Sequence, residues 1–395
     1  MNPDKPTYIL WLPSWYPNKL EPYDGDFIQR HALAVSAFIP VHVVHFVRDK
    51  GKIITNSVFV EEKKTGNLTE TIVYYSNQIS SRGIIEKISS VGKFRSLYRK
   101  IIHDLFLKKG LPSLVHVHIA FKAGLVARWI RKKYAIQFFL SEHWTIYLAE
   151  ARPNFKDLNY FKRYLISKIV KDASKVFPVS NYLGQAIRKR WPDVSYEVVP
   201  NVVDTKVFYP GERSVDETCH LIHISNLNYQ KDPEKLFRAI KLLKAAGFKF
   251  FLDVFGTRNE SIKSQINGYG IEDVVTFHQE VPQRILAEHL RNSDALILYS
   301  RYETFGCVII EANACGIPVI VADIPVMHEL VRQNENGVLV SPGSAEALAD
   351  AVINVFNDRK FSKQNIVRSA KLYSYAEVGK LIFDEYLSLG TSNSG

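Results

Sequence analysis

The sequence of 395 residues predicts two α/β domains of the Rossmann type that face each other across a cleft. Three observations support this prediction. The chain is longer than the roughly 250–300 residues at which a single core stops growing. Short apolar runs alternate with amphipathic stretches along the whole chain, which is typical of doubly wound α/β folds. The apolar fraction of 46% and the charged fraction of 23% belong to an ordinary globular protein.

The first half of the chain supplies the strands and helices of the first predicted domain, residues 1–203. Its first strand is Tyr8–Leu12, which Pro13 ends. Further strands are predicted at Val41–Phe46, Thr71–Tyr75, Leu114–His118, Gln137–Leu140, Lys175–Pro178 and Glu197–Val199. Helices are predicted at Asp26–Phe38, Gly124–Lys133 and Tyr182–Lys189, where apolar residues recur at helical spacing.

The second half repeats the alternation and gives a second Rossmann-like domain, residues 204–372. Its predicted elements begin with the strand His220–Ser225 and the helix Lys235–Ala246, and continue to the helix Ala345–Asn357. A last helix, at about Tyr375–Leu389 within a segment 373–390, could pack on either domain, and a crossing back to the first domain is part of the predicted fold. Ligands of such sheets lie beyond the carboxyl ends of the strands, so we look for chemistry in the loops there.

The net charge of +11 is spread unevenly. Residues 1–200 hold 31 Lys and Arg against 16 Asp and Glu, whereas residues 201–395 hold 20 against 24. One domain therefore has a basic face, which an anionic membrane surface or nucleic acid would attract, or which is simply a soluble surface. We predict no nucleic-acid partner. No apolar run reaches the roughly 18 residues of a membrane span, and we expect a cytoplasmic protein, with the inner face of the membrane as an open alternative.

A turn and a helix between two late strands have the features of a phosphate site. The strand Ala295–Leu298 leads into residues 299–306, and a helix is predicted from Gly306 to Cys315, with Gly316 as its C-cap. Gly306 lets the backbone approach a ligand closely. The free N–H groups of the first helical turn carry partial positive charge and bind phosphates.

Two glutamates flank this turn. Glu303 and Glu311 are eight residues apart, which along an ideal helix is about 12 Å of rise. A nucleotide-sugar has roughly this length from hexose to ribose, so Glu303 is predicted to hold sugar hydroxyls and Glu311 to accept both ribose hydroxyls. Two glutamates at this spacing also occur by chance, and the surrounding strand, glycines and helix give the pair its meaning.

These residues resemble a known family. E-T-F-G at 303–306, E-A-N-A at 311–314 and G-I-P-V at 316–319 are similar to the E-x7-E segment of the retaining family 4 glycosyltransferases, the glycosyl transferases of group 1, which have the GT-B fold. Further similarities are P-V-S at 178–180, P-N at 200–201 with Asp204, N-Y-Q-K-D at 228–232, Glu329 and Gly337. The resemblance covers most of the chain and is densest over 175–355.

The resemblance implies a division of roles in the site. Glu303 would contact hydroxyls of the transferred sugar, and Phe305 and Gly306 would offer backbone N–H groups to the phosphates. Lys231 would neutralise the diphosphate leaving group, which a compact ammonium does well. The remaining donor-binding residues of the prediction are Glu311 at the ribose, Thr304, Asn201, Ser225 and Asn226.

The chain departs from the family pattern at three places. Asn226 stands where the family usually has an arginine that binds the diphosphate, and Arg301 could compensate. Val202 replaces the glycine of the junction motif, and Gln279 replaces a common glycine beside the base pocket. These changes bear on diphosphate affinity and on the identity of the base.

In the first domain the resemblance points to His143 and to a glycine loop. His143 follows the strand Gln137–Leu140 and takes the place of the histidine that faces the donor sugar in the family. A neutral imidazole can hydrogen-bond a sugar hydroxyl or a forming anionic oxygen. Gly25 and Asp26 are assigned to the acceptor and phosphate side of the cleft, and Asp26 is also a natural helix cap.

No metal or other cofactor is predicted. Asp24-Gly25-Asp26 has the form of a D-x-D metal motif, but it lies in a glycine loop at a helix N-terminus. The three cysteines, Cys219, Cys307 and Cys315, lack metal-ligand spacing and are expected to be reduced. The basic stretch Lys87–Lys109 is either an amphipathic helix that lies on a membrane or an ordinary helix packed on the sheet.

The sequence thus predicts a metal-independent, retaining transfer of a hexose or N-acetylhexosamine from a nucleotide-diphosphate sugar. Uridine is favoured as the base, and the expected acceptor is a glycan or a lipid-linked sugar in surface polysaccharide or glycoconjugate synthesis. The alternatives are a GT-B sugar epimerase, a glycogen-type phosphorylase and a non-catalytic nucleotide-sugar-binding protein. No acid/base set for an epimerase and no pyridoxal-lysine context for a phosphorylase can be assembled from the sequence.

Overall fold

A computed structural model describes residues 8–76, 84–212, 217–256, 259–358 and 360–391 of the chain. Within these residues two parallel sheets alternate with helices. The strands are β1 Ile9–Pro13, β2 Val41–Arg48, β3 Val58–Thr65, β4 Leu68–Tyr75, β5 Leu114–His118, β6 Phe138–Glu142, β7 Lys175–Pro178, β8 Cys219–Ile224, β9 Phe250–Phe255, β10 Val275–His278, β11 Ala295–Leu298, β12 Val319–Ala322 and β13 Gly337–Val340. The α-helices are α1 Asp26–Ser36, α2 Ile84–Lys109, α3 Ala123–Tyr134, α4 Tyr160–Asp172, α5 Asn181–Arg190, α6 Pro233–Ala245, α7 Glu260–Tyr269, α8 Gln283–Arg291, α9 Cys307–Ala314, α10 Ala345–Asp358, α11 Lys363–Lys371 and α12 Tyr375–Thr391.

The first sheet has the strand order β3-β4-β2-β1-β5-β6-β7, and the second has the order β10-β9-β8-β11-β12-β13. All neighbours are parallel except β3, which pairs antiparallel with β4 at the edge. The order reverses at β1 in the first sheet and at β8 in the second, so loops diverge at these points and leave room for ligands. The predicted architecture of two Rossmann-like sheets is confirmed.

The differences from the predicted elements have simple causes. The stretch Glu197–Val199 forms no strand; its neighbour Tyr196 makes only an isolated bridge with Val176, and the Val199 N–H donates to the Pro178 carbonyl. The strand β3 was missed because it is an exposed edge strand whose apolar run is limited to Val58–Val60 and is followed by charged residues. The helices α4 and α11 were missed as well, since both carry many polar residues.

The helix α2 covers the basic stretch Lys87–Lys109. Tyr98, Ile102 and Phe106 are buried in the core of the first domain. Its apolar face is therefore used by the sheet, which is the ordinary alternative given above. None of the helices in the described part of the chain has the length and apolarity needed to cross a bilayer.

The last helix, α12, crosses back to the first domain and packs against α1, as predicted. Trp11 Nε1 donates a hydrogen bond to the Tyr386 hydroxyl at 3.1 Å, and the same hydroxyl lies 2.6 Å from His116 Nδ1. The rings of Phe38 and Phe383 stack with centroids 5.8 Å apart. The C-terminal residues thus complete the core of the N-terminal domain.

Candidate active site

A cavity of about 480 Å³ lies between the two sheets, and loops at the carboxyl ends of β6, β8, β9 and β11 contribute to it. Eleven of the twelve residues predicted for the site line this cavity. They are Asp26, His143, Asn201, Ser225, Asn226, Lys231, Glu303, Thr304, Phe305, Gly306 and Glu311. The fold therefore brings together residues that are up to 285 positions apart in the chain.

Glu303 is held by three donors in the turn after β11. Its carboxylate forms an ion pair with Lys231 Nζ, accepts a hydrogen bond from Ser300 Oγ at 2.8 Å, and accepts another from Gln230 Nε2 at 3.0 Å. The side chain is only 5% exposed. Because both oxygens have fixed partners, the carboxylate is held in one orientation at the cavity wall.

The helix α9 begins at Cys307, so Glu303 lies in the turn before it and not on the helix. The 12 Å estimate from helical rise therefore does not apply to the pair Glu303 and Glu311. Gly306 is the N-cap with φ of 104°, a conformation that favours glycine. Thr304 Oγ1 donates to the His143 carbonyl at 3.1 Å, which joins this turn to the first domain.

Glu311 is engaged by an arginine of the first domain. Arg30 Nη1 lies 2.5 Å from Glu311 Oε1, and Arg30 Nη2 lies 3.1 Å from Asp26 Oδ2. Both Arg30 and Glu311 are buried. Burial alone would lower the pKa of Arg30, but Asp26 and Glu311 outweigh that effect and raise it. The guanidinium is therefore charged and bridges the two domains at the place predicted for the ribose.

Sequence reasoning missed Arg30. It lies four residues after Asp26 on α1, and an acidic residue followed by a basic one at this spacing is a signal that can be read from sequence. That signal predicts the helical pair with Asp26. It does not predict the contact with Glu311, which depends on how the two domains pack.

His143 is buried at the end of β6, with its ring centroid 4.7 Å from that of Phe27. Burial lowers the pKa of His143 well below the usual range, and nearby His31 and His116 add to this effect. Among the described residues, neither ring nitrogen has a hydrogen bond of normal geometry, although the Asn201 side chain lies near enough to oppose the lowering of the pKa. A neutral imidazole with free nitrogens is suited to binding a hydroxyl.

The segment after β8 forms the floor of the cavity. Ser225 Oγ lies 2.7 Å from His223 Nε2 and accepts a hydrogen bond from the Leu227 N–H at 3.1 Å, which fixes the turn that carries Asn226. Lys231 follows in a short 3₁₀ helix and points to Glu303. Among the described residues of the second domain, Lys231 is the Lys or Arg side chain that lines this cavity.

Arg301 does not take the place of the arginine that Asn226 replaces. Its guanidinium pairs with Asp232 at 2.5 Å and lies over the ring of Tyr229, with 4.6 Å to the ring centroid. It is absent from the residues that line the cavity. The described cations at the cavity wall are instead Lys231 and, from the first domain, Arg30.

The glycine loop after β1 is divided between two roles. Gly25 does not line the cavity; it is the N-cap of α1 with φ of 65°, and a Cβ there would lie 2.6 Å from the Trp15 backbone. Asp26 does line the cavity. It makes no capping bond, and instead pairs with Arg30 and accepts a hydrogen bond from Gln283 Nε2 of the second domain at 3.1 Å.

Two groups of side chains in the described part of the chain have the geometry to hold a metal ion. Their ligand atoms lie within 4.8 Å of one another. The groups are His31 with His118 and His143, and Asp253 with His278 and His289. The expectation of metal-independent chemistry remains a prediction. All three described cysteines are free thiols, as expected.

Two family models match the chain. Residues 76–207 match the model described as Glycosyltransferase Family 4, and residues 211–372 match the model described as Glycosyl transferases group 1. The two models lie side by side and meet at the junction near residue 208. Between them they cover both sheets except for the first four strands.

Individual proteins give the same result. The chain is 29% identical over 192 residues to a D-inositol 3-phosphate glycosyltransferase of Arthrobacter sp. (strain FB24), a match that covers 45% of each chain, so less than half of that relative is spanned. It is 24% identical over 366 residues to the "Putative teichuronic acid biosynthesis glycosyltransferase TuaC" of Bacillus subtilis (strain 168), covering 87% of this chain and 88% of the relative.

The fold is also found among solved structures. Anabaena Alr3699/HepE, solved in complex with UDP and glucose, superposes with a TM-score of 0.71 at 16% identity, covering 97% of this chain and 100% of that one. The paired Rossmann-like sheets with a C-terminal helix that returns to the first domain are the GT-B fold. With this fold, both family models and the E-x7-E segment in place at the cavity, the chain belongs to the glycosyl transferases of group 1.

Proposed function

We propose that this protein is a retaining glycosyltransferase that moves a hexose or N-acetylhexosamine from a UDP-sugar to a glycan or lipid-linked acceptor. The observation that carries the proposal is the pairing of Lys231 with Glu303 beside the N-terminus of α9. A carboxylate for sugar hydroxyls and an ammonium for phosphate are thereby placed at neighbouring points of one cavity.

The chemistry follows from charge. Cleavage of the donor leaves a nucleoside diphosphate, whose developing negative charge is stabilised by Lys231 and by the N–H groups at the start of α9. The reaction needs no covalent group from the protein. Glu303 and the neutral His143 orient the sugar through its hydroxyls, and the three donors that fix Glu303 reduce the reorganisation needed in the transition state.

Uridine as the base is supported by the HepE structure, which holds UDP and glucose. The cavity lining also includes the apolar side chains of Phe255, Val281 and Leu286, which suit a flat base. The Bacillus subtilis relative is named for teichuronic acid biosynthesis, which supports a surface polymer as the destination of the sugar.

A non-catalytic nucleotide-sugar-binding protein is the second candidate. One observation favours it: Asn226 lines the cavity where the family has an arginine, and Arg301 is committed to Asp232. Such a protein would bind the donor and leave it intact. No comparable observation favours an epimerase or a phosphorylase.

Thermal-shift measurements with UDP, GDP, ADP and their sugars test the proposal, followed by assays of nucleotide release. UDP at about 100 times its dissociation constant is expected to stabilise the protein by about 2.7 kcal/mol. Slow release of UDP from a UDP-sugar would exclude the binding protein. Stabilisation without any turnover, with or without glycan acceptors, would favour it, and stabilisation by GDP alone would overturn the choice of base.

A further inference from the structure

A second cavity of about 710 Å³ lies in the first domain, away from the residues assigned to the donor. It is bounded by the carboxyl ends of β2 and β4, by the loop after β5, and by the helices α2, α3 and α4. Its walls combine aromatic rings with cations. No part of the proposed transfer described above uses it.

The floor of this cavity is apolar. The rings of Phe46 and Tyr98 stack with centroids 3.8 Å apart, and Phe94 meets Tyr98 edge-on at 5.2 Å. The ring of Trp129 and aliphatic side chains such as Leu125 continue the surface. Because the rings are packed against one another, the floor offers a slot for an aliphatic chain more than open faces for stacking bases.

The rim of the cavity is basic. Arg48, Lys50, Arg95, Arg99 and Lys122 line it, and no acidic residue is among the residues that do. Apart from Arg48, none of these five cations forms an ion pair with a carboxylate in the described part of the chain. The other four like charges around one opening repel each other, and an anion that enters would relieve that repulsion.

The second cavity opens at the same edge of the sheet as the donor cavity. Lys122 belongs to the loop after β5, and Ser14 Oγ bonds the carbonyls of Ile119 and Phe121 in that loop. Ser14 itself begins the loop after β1, which continues to Tyr23 and Asp26 at the donor cavity. The two loops are therefore tied together, and a molecule in the second cavity can direct one end towards the donor.

The helix α4 supplies the outer wall and has an unusual surface. Tyr160 is 77% exposed, Phe161 64% and Tyr164 49%. Lys162 and Lys168 are interleaved with these rings. Exposed aromatic residues among lysines are typical of helices that rest in the interface of a membrane. Phe161 belongs to this surface and to the cavity wall at once.

We propose that the second cavity binds the acceptor, and that this acceptor is a membrane lipid with a phosphate or diphosphate next to a long aliphatic chain. The phosphate lies among Arg95, Arg99 and Lys122, and the first part of the chain lies on the Phe46 and Tyr98 floor. The lipid enters past α4 from the bilayer. This inference rests on the proposed function, because it names the acceptor class for the same reaction.

Calorimetry on the full chain tests the cavity with three soluble probes: farnesyl diphosphate, inorganic pyrophosphate and farnesol. Farnesyl diphosphate is expected to bind about tenfold or more tightly than either of the others, since only it uses both the cations and the apolar floor. The double variant Arg95→Ala/Arg99→Ala should weaken this binding about tenfold or more.

The matched control is Arg188→Ala/Lys189→Ala, which removes two exposed cations from α5 in the same domain. It should leave farnesyl diphosphate binding unchanged. The melting temperature without ligand serves as a check of folding in every variant. Equal binding of pyrophosphate and farnesyl diphosphate, unchanged binding by Arg95→Ala/Arg99→Ala, or tighter binding of a single-stranded oligonucleotide would each overturn the proposal.

Vesicles test entry from the membrane. The protein should co-sediment more strongly with phosphatidylcholine vesicles that contain a long-chain prenyl phosphate than with vesicles that contain phosphatidylglycerol at the same charge. Tyr160→Ser/Tyr164→Ser should reduce this association severalfold without changing farnesyl diphosphate affinity in solution. Equal sedimentation with both vesicles, or no effect of the variant, contradicts entry from the membrane. If farnesyl diphosphate binds but UDP does not change the melting temperature, the proposed glycosyltransferase function is contradicted, whereas binding of a lipid phosphate in the second cavity still stands.

Discussion

The two cavities differ in whether their Lys and Arg side chains are paired with carboxylates. In the donor cavity, Lys231 is paired with Glu303 and Arg30 with Glu311 before any ligand enters. In the second cavity, Arg95 and Arg99 form no ion pair with a carboxylate among the described residues, and both residues are exposed. Both places suit phosphate, yet one has been neutralised by the protein and the other has not.

This difference means that one cavity is better suited to orienting an anionic ligand and the other to attracting it. A cation that is already paired is held in place, and a ligand must share or displace the carboxylate to reach it. An unpaired cation attracts an anion over a longer range but orients it less well. The cavity that we propose for the donor, whose reacting bond must be aligned, has the paired cations. The cavity that we propose for the acceptor, which must be captured from a surface, has the unpaired ones.

The largest effect is expected at Glu303. Glu303→Gln keeps the size of the side chain and frees Lys231, so UDP should bind at least as well while sugar transfer falls about 100-fold or more, because an oriented charged contact to the sugar is lost. Thermal shifts with UDP and rates of UDP release measure the two effects. Glu335→Gln, an exposed change in the same domain, is the control. If the rate of sugar transfer is unchanged in Glu303→Gln, the assignment of Glu303 to the active site is wrong.

The pair of Arg30 and Glu311 should matter for stability. Glu311→Gln leaves a buried guanidinium with Asp26 alone and is expected to lower the free energy of unfolding by about 3 kcal/mol. Urea denaturation measures this loss. The double variant Arg30→Met/Glu311→Gln should recover much of it, since no buried charge is then left without its partner. A single variant as stable as the parent would mean that the pair is not closed in solution.

A third prediction concerns Glu142, a buried carboxyl that forms no ion pair with any described residue. It accepts hydrogen bonds from the Ala120 N–H at 2.8 Å and the Tyr147 hydroxyl at 2.7 Å. Burial raises the pKa of Glu142 from 4.5 to about 7, against the lowering effect of these hydrogen bonds. A raised pKa in the folded state means that its stabilising effect is full below pH 4.5 and is lost as the pH rises to about 7.

The measurement is the difference in melting temperature between the parent and Glu142→Gln at several pH values. Relative to the variant, the parent should lose about 3 kcal/mol of stability as the pH rises through this window. The buried histidines, whose pKa values are lowered, make the protein more stable as the pH rises. This contribution is the same in the parent and in Glu142→Gln, so it cancels when the two are compared. A constant difference between pH 4.5 and 7 would show that Glu142 is ionised throughout.

The smallest effect is a contrast in salt dependence. Binding of farnesyl diphosphate at the unpaired cations should weaken about tenfold between about 50 and 500 mM salt, since exposed charges are screened and counterions are displaced. Binding of UDP should weaken less, because its cations exchange one buried partner for another. Calorimetric titrations at both salt concentrations provide the comparison. If the affinities for farnesyl diphosphate and UDP fall equally with salt, the cations of the two cavities do not differ in the way described.

The sequence was sufficient to predict which residues of local motifs lie together at the candidate site. Glu303, Gly306 and Glu311 follow one strand, and Lys231 follows another, so a rule about strand ends places them at one edge. The two Rossmann-like sheets were predictable for a similar reason, because runs of apolar residues indicate strands that are buried on both faces. The GT-B fold itself was predicted from the resemblance of the E-x7-E segment to the family.

What could not be predicted depends on packing between distant elements. The contact of Arg30 with Glu311 spans 281 positions, and nothing in either neighbourhood specifies it. The second cavity combines side chains from β2, β4, α2, α3 and α4. Their basic character was visible in the charge balance of the first half, but the arrangement around an aromatic floor is a tertiary property.

The helix α12 has a consequence for how the chain is made. Trp11 emerges early in synthesis, yet its hydrogen-bond partner Tyr386 follows 375 positions later. At about 5–20 residues per second, the gap lasts on the order of 20 to 75 s. During that time α12 is not available to cover the side of α1 that it contacts in the folded chain. The domain that is translated first is therefore the one that is finished last.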